Sequence, residues 1–487
     1  MYAPTWESVS THALPAWYDD AKLGIFIHWG LYSVPGWAPQ VPDIQQLLKE
    51  EGPTGVLWDN PYAEWYLNSS RLQGSPTWLH QRQTYGPDAT YDDFVGAFDD
   101  GTAGADMGAI AGVCRDAGAG YVVLTTKHHD GFCLWPTALE HPRKGRYHAR
   151  RDIVGDLRRA ILDAGLRMGL YYSGGYDWPF NDALLQNPAD SFLAVPHTGD
   201  YVAYAAHHVR ELIDRYRPSV LWNDICWPSG GDLPALFADY YNAVPDGVIN
   251  DRWIEAPAHR SAVTDALARV GGSLLQRFWA YLPERHKSLT FPAEHHYDIR
   301  TPEYATFDEI QDKKWESTRG VGHSFGANRN ERTEDYVTAT ELVRSLVDIV
   351  SKNGNLLIGI GPDQNGRFPE RQLAPLLGLG AWLCANGAAL YRTRPWAIAQ
   401  ATTTEGTAVR FTQCEGRVNA ILLDLPVREF GIRGVDASAV TEVRMPGLGE
   451  PVDWWVEQGM LRLQLPERIP PSPAHVVELA PGARPAG

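Results

Sequence analysis

Two short stretches carry residue types that could do chemistry. His128, His129 and Asp130 follow the apolar run Tyr121–Thr126, and Asp224 closes the run Ser219–Asp224. Adjacent histidines on a strand face opposite sides, but at a strand end, where the chain turns, both can face one pocket. Three uses are open to them: metal ligation, since His and Asp are good ligands, a structural role, or hydrogen bonding to a polar substrate. A metal-dependent barrel hydrolase usually carries an HxH pair on its first strand, and the first run here offers His28 alone. Asp224 poses a sharper question, because a carboxylate ending a buried apolar strand is costly to desolvate unless it has partners or a function. It is either a capping or loop residue, or a group kept ionised for attack, as in a glycosidase whose nucleophile sits rigidly beneath a sugar ring.

The elements that must position these groups are legible as alternation. Near-continuous apolar runs occur at Gly24–Gly30, Tyr121–Thr126, Leu166–Ser173, Ser219–Asp224, Val248–Asp251 and Asn355–Gly361, as expected of parallel strands buried on both faces. Between them Asp152–Asp163, Tyr201–Tyr216 and Glu341–Lys352 repeat apolar residues at the helical period. Strand–helix alternation of this kind gives an α/β barrel or a doubly wound sheet. The barrel is favoured because no glycine-rich nucleotide loop follows any run. Polar groups instead close several different strands: His28, His128 with His129, Asp224, and Asp251 with Arg252. After about residue 395 short alternating runs separated by Pro/Gly turns replace the helical pattern. The expected architecture is a (β/α)8-like, TIM-type barrel over residues 1–393 followed by an antiparallel β-sandwich over 394–487, with a disordered tail at 481–487.

Composition narrows the function classes. The 487 residues carry a formal net charge of −16, spread along the chain, which disfavours nucleic acid or an anionic membrane as partner. Eighteen tryptophans and 22 tyrosines suit a carbohydrate cleft, although core packing accounts for aromatic residues as readily. Five cysteines without CxxC or zinc spacing suggest a reduced, cytoplasmic chain, and no signal peptide or apolar membrane span is read. No cofactor or metal is expected.

Eight blocks resemble family 29 α-L-fucosidases: Trp17–Trp37, Tyr62–Tyr66, Thr125–Trp135, Gly169–Asp177, Leu221–Asp224, Asn250–Trp253, Trp315–Asn328 and Leu346–Pro362. The resemblance implies a barrel followed by a β-sandwich, and a fucosylated oligosaccharide as substrate. Carried over position by position, it implies that Asp224 is the nucleophile and that His28, Glu64, Trp65, His128, His129, Tyr171 and Arg252 grip the sugar. It places Trp222 and Trp315 beside the 6-deoxy methyl group. Such a site would reject analogues by leaving buried polar groups unpaired.

For the acid/base the family has a Glu in a T-x-E-Y-like segment soon after the NDRW block. Thr301-Pro302-Glu303-Tyr304 resembles it, which makes Glu303 the candidate, with Glu294 next. An insertion-like stretch from Ile254 to about His295, rich in aromatic residues and carrying Glu255, Glu284 and Glu294, separates the two blocks. It is expected to form a wall on the leaving-group side. The implied reaction is double displacement, with carboxyls about 5–5.5 Å apart, a low pKa for the nucleophile and a raised one for the acid. A non-catalytic fucose-binding barrel and a metal-dependent barrel hydrolase are the alternatives.

Overall fold

Seven mutually parallel strands form the first sheet: β1 Leu23–Ile27, β2 Tyr121–Lys127, β3 Arg167–Ser173, β4 Val220–Asp224, β5 Val248–Ile249, β6 Trp315–Gly320 and β7 Gly354–Ile360. They lie in the order β5-β4-β3-β2-β1-β7-β6. The computed structural model describes residues 1–256, 261–282, 295–448 and 451–486. Residues of β1 to β4 point alternately outward and inward. Ile25, Ile27, Val122 and Leu124 pack under the helices, whereas Phe26, Tyr121, Val123, Tyr171 and Trp222 fill the interior.

The two edges of this sheet, β5 and β6, meet through an irregular eighth stave. Ile299 bridges in parallel to Asn250, while Arg300 and Glu303 bridge to Trp315 and Thr318. The ladder runs through Asp298 N to Ile249 O (3.0 Å), Arg300 N to Lys314 O (3.1 Å), Glu316 N to Arg300 O (2.7 Å) and Tyr304 N to Thr318 O (2.8 Å). The sheet is therefore closed, and Glu303 sits near the end of a stave as Asp224 does.

Local chemistry sets the helix ends. Asp152 caps Ile153–Asp163 by accepting from Gly155 N at 2.9 Å. Thr338 and Glu341 form a capping box at the start of Ala339–Ser351. Gly199–Tyr216 stops at Arg217, in the left-handed region before Pro218.

The second unit begins with β8 Arg394–Thr402 and continues through β9 Ala408–Cys414, β10 Arg417–Leu422, β11 Glu429–Asp436, β12 Glu442–Arg444, β13 Asp453–Glu457, β14 Met460–Gln464, β15 His475–Ala480 and β16 Arg484–Pro485. Two antiparallel sheets, β12-β15-β10-β9-β8 and β13-β14-β11-β16, face each other over a core that includes Phe411, Phe430, Leu461 and Val477. The tail is not wholly free, in contrast to the expectation from sequence. Arg484 and Pro485 pair with Asp436 and Val435, because the edge of β11 offers unpaired backbone groups there.

Candidate active site

Asp224 ends β4 and is 9% exposed. Its Oδ2 accepts the Tyr171 hydroxyl proton at 2.8 Å, and its Oδ1 accepts Arg252 Nη1 and Ile225 N, each at 2.8 Å. Ile225 adopts φ 69° to aim that amide back at the carboxylate. For a β-branched residue this left-handed conformation costs about 1–2 kcal/mol. Burial pushes the Asp224 carboxyl up, but the Arg252 charge and the Tyr171 hydrogen bond outweigh it and hold the group below the ordinary aspartate value.

Arg252 follows β5 and reaches two carboxylates with one atom. Its Nη1 lies 2.8 Å from Asp224 Oδ1 and 2.7 Å from Glu303 Oε1, so those two oxygens are at most about 5.5 Å apart. The rest of the fork is tied down, with Nε donating to Thr301 Oγ1 (3.2 Å) and Nη2 to Thr301 O (2.9 Å). The guanidinium also covers the Trp222 ring, 4.7 Å from its centroid. The other oxygen of Glu303 accepts from Tyr62 Oη at 3.5 Å, and its side chain is 31% exposed, the more open of the two carboxylates.

The histidines form one wall. The His128 ring stacks on Tyr171 with centroids 5.6 Å apart and lies 6.0 Å from His28. His129 brings Nε2 to 3.8 Å from Asp224 Oδ2 and packs its ring edge-on against Trp65 at 5.4 Å. Burial lowers His28 to about 3, partly opposed by the Asp224 charge. It also holds His128 and His129 well below the ordinary value, so the wall is made of neutral imidazoles. The buried Nδ1 of His128 lacks a hydrogen-bond partner among the described residues, as expected of a group waiting for a ligand.

Glu64 reaches the site from the helical turn after β1. Its Oε2 accepts from Gly326 N (2.9 Å) and Ser324 Oγ (3.1 Å), and burial still raises its pKa to about 7. The loop that holds it also carries Phe325, which lies 4.9 Å from the His28 ring and 5.4 Å from that of Tyr62. This loop lies flat on the end of β7 because Gly361 has no side chain. A Cβ there would stand 2.2 Å from Ala327 N.

Ten of the eleven residues singled out from sequence thus gather at one end of the barrel, and Trp315 does not. It starts β6, is fully buried among Phe307 (4.7 Å) and the outer core, and donates Nε1 to Lys352 O at 2.9 Å. A parallel strand's first residue lies at the opposite end of the barrel from its last, so Trp315 cannot reach a sugar in the cleft. Phe325 is the aromatic that the loop after β6 does deliver. It sat inside the matched block Trp315–Asn328 without being singled out. Trp222 lies lower, 2% exposed, stacked on Tyr171 at 5.5 Å and donating to Glu316 Oε1 at 3.1 Å.

His128-His129-Asp130 is not a metal-ligand set. Asp130 turns away to accept from Tyr91 Oη (2.8 Å) and Phe132 N (3.2 Å), and His129 Nδ1 is engaged by Ser173. Among the described residues the grouping with ligand-like spacing is His12, His296 and Asp298. Asp298 there already accepts from Tyr241 Oη (2.9 Å) and Ile249 N (2.8 Å).

In the inserted stretch, helix Ala262–Phe278 docks by its polar side. Gln276 donates to Glu51 O (2.7 Å) and accepts from Thr54 N (2.9 Å), and Asn187 donates to Ser273 Oγ (2.9 Å). Val263, Leu267, Val270, Leu274 and Phe278 are exposed. Glu284 and Glu294 lie outside the described residues.

Two carboxylates on one cation, one of them held ionised, beside neutral hydrogen-bonding rings and apolar walls, meet the needs of hydrolysing an uncharged glycoside, and the class is glycoside hydrolase. Comparison with known proteins specifies it further. A family model described as alpha-L-fucosidase matches residues 1–388. The chain is 31% identical over 439 residues to an alpha-L-fucosidase of Dictyostelium discoideum, covering 88% of this chain and 81% of that protein. It is 30% identical over 478 residues to the plasma alpha-L-fucosidase of Homo sapiens, covering 96% and 89%. A crystal structure of Thermotoga maritima alpha-fucosidase in complex with a mechanism-based inhibitor superposes with a TM-score of 0.82 at 40% identity, over 98% of this chain and all of that one. The chain belongs to the α-L-fucosidase family. No helix among the described residues is long and apolar enough to cross a membrane.

Proposed function

We propose that the chain is a retaining exo-α-L-fucosidase, releasing terminal fucose from oligosaccharides or glycoconjugates through a covalent fucosyl-enzyme. The observation that carries this reading is the separation of Asp224 and Glu303. Oxygens at most about 5.5 Å apart match a nucleophile and an acid/base acting on one anomeric carbon, whereas an inverting pair needs about 6.5–9.5 Å to admit water. Asp224, held low and rigid, attacks the anomeric carbon. Glu303 donates its proton to the leaving oxygen, then takes one from the water that opens the fucosyl-enzyme. His28, His128, His129, Glu64, Trp65 and Tyr171 bind the sugar's hydroxyls and ring, and Trp222 underlies Tyr171 and Arg252. Phe325, in place of Trp315, supplies the apolar wall for the 6-deoxy methyl group. Five unpaired cysteines support a reducing, cytoplasmic setting.

The test is proton NMR of the first product formed from an aryl α-L-fucoside. α-L-Fucose ahead of mutarotation is expected, and the β-anomer would overturn the mechanism. Asp224→Gly should lose nearly all turnover and recover some with azide, yielding the β-fucosyl azide. The β-azide from a Glu303 variant would exchange the two roles. Stoichiometric fucose binding without hydrolysis by the wild type would reduce the chain to a binding barrel, and loss of turnover with EDTA would point to a metal.

A further inference from the structure

Behind His129 runs a chain of hydrogen bonds whose direction is forced. His129 Nδ1 is 2.7 Å from Ser173 Oγ, and Ser173 Oγ is 2.9 Å from the carbonyl oxygen of Tyr176. A carbonyl oxygen has no proton to give, so the single hydroxyl proton of Ser173 must go to it. Ser173 Oγ then meets His129 Nδ1 with a lone pair, and the shared proton must come from the histidine. The opposite arrangement would leave two oxygen lone pairs facing each other at 2.9 Å in a site with no solvent, since Ser173 is fully buried.

The relay is anchored at its far end. Lys127 Nζ donates to Tyr176 O (3.3 Å) and to Asp177 Oδ2 (2.9 Å) with no exposed surface on either charge. The His129 backbone carbonyl accepts from Trp178 N at 2.9 Å. Ser173 is the last residue of β3 and lies in register with Asp224 on β4. The orientation of His129 is thus built on two adjacent strand ends rather than on a loose loop.

We infer that Ser173 is a positioning residue that fixes His129 as the Nδ1–H tautomer and so presents Nε2 to the substrate as a bare hydrogen-bond acceptor. Burial keeps the ring neutral, so it carries one proton only. An Nε2 lone pair 3.8 Å from the Asp224 carboxylate oxygen faces like partial charge, and that repulsion is relieved when a donor enters between or beside them. The donor is a sugar hydroxyl giving its proton to Nε2. A sugar lacking that hydroxyl leaves an acceptor unpaired, which makes the position a determinant of specificity. This inference rests on the fucosidase reading only for the identity of the donor.

The test separates the two. In the free wild-type enzyme, 15N spectra of labelled histidines, with the His129 signals assigned from a His129→Gln variant, should show a protonated Nδ1 and a non-protonated Nε2. Ser173→Ala should collapse this into a mixture of tautomers, with the melting temperature nearly unchanged. On an aryl α-L-fucoside its kcat/KM should fall about 10- to 100-fold, by analogy with the loss when a partner that orients a metal-ligating histidine is removed. Ser173→Cys, which keeps a weak donor and acceptor, should recover part of the loss. A wild-type ring protonated on Nε2 overturns the inference whatever reaction the barrel catalyses, and so does a Ser173→Ala enzyme that hydrolyses the fucoside as well as an active wild type.

Discussion

Replacing Arg252 by methionine tests whether one guanidinium sets the electrostatics of the whole site. Arg252 Nη1 is shared by Asp224 and Glu303 at 2.8 and 2.7 Å. Without it Asp224 loses the positive charge that offsets its burial. At an effective dielectric of about 20, opposite charges about 4 Å apart attract by about 4 kcal/mol, so losing one is equivalent to about three pKa units on Asp224. The Asp224 and Arg252 side chains are 12% and 19% exposed, so solvent screening trims the rise to about one to two units. Because kcat/KM of the free enzyme falls on the acid side as Asp224 takes up a proton, the acidic limb of its pH profile should move toward neutral by that amount. Turnover at the optimum should fall about 100- to 1000-fold, equivalent to about 3–4 kcal/mol of lost transition-state stabilisation. The assay is kcat/KM on an aryl α-L-fucoside from acid to neutral pH, with folding checked by circular dichroism. An acidic limb that stays at the wild-type position would refute the account, because it would mean that Tyr171 and Ile225 N alone hold Asp224 ionised.

Asp224 was legible from sequence because it ends an apolar run, a pattern that reads as a strand end whatever the family. The eighth stave was not. Ile299–Glu303 lacks an apolar run and shows only isolated bridges, since its irregular backbone bends to close the barrel. β6, Trp-Glu-Ser-Thr-Arg-Gly, likewise hides its nature, because its inward positions carry Glu316 and Thr318. Glu316 is tolerated there only because Tyr18, Tyr121 and Trp222 all donate to it. Motif matching brought Trp315 into the site, but a match assigns a block, not an end of a strand. Trp315 lies three positions before Thr318, the partner of Glu303, and that rise along β6 is what removes it from the cleft. The inserted helix misleads in another way. Its stretch is expected from sequence to form a wall, yet the helix leaves its apolar stripe exposed and docks by the polar side, anchored by Gln276, Ser273 and Arg269.

Glu316→Ala should lower stability by about 3–5 kcal/mol in urea unfolding, by opening a cavity and orphaning three donors at once. It should also lower kcat as Trp222 loosens beneath Tyr171, and wild-type stability would deny the network its role. Glu64→Gln should be more stable than wild type at pH 8 by up to about 3 kcal/mol, the cost of ionising a carboxyl whose folded pKa is about 7. The gain should shrink below about 1 kcal/mol at pH 5 and vanish below about pH 4.5, and activity should fall at pH 5 and pH 8 alike. Acid should unfold the enzyme earlier than its carboxylates alone would. His28, His128 and His129 are neutral when folded, with pKa values depressed by burial, but each takes a proton near pH 6.5 once unfolded. The stability they contribute is therefore complete above pH ~6.5 and is lost as pH falls toward the folded values, by up to about 1.4 kcal/mol per pH unit for each ring. Glu64 offsets one ring's share between about pH 7 and 4.5, because its folded form is the readier to bind a proton. Asp224, held low, adds its own loss only below about pH 4. Glu331 and Asp130, raised by burial to about 7 and about 6, offset two more shares and the depressed His208 adds one, leaving a net slope of about 1.4 kcal/mol per pH unit against an ordinary folding free energy of about 5–15 kcal/mol. Urea unfolding at pH 7.5, 6.5 and 5.5 measures the slope, and His128→Gln should reduce it by one ring's share. A His128→Gln variant with the wild type's slope would mean that this imidazole accepts a proton while folded, and that the neutral histidine wall is wrong.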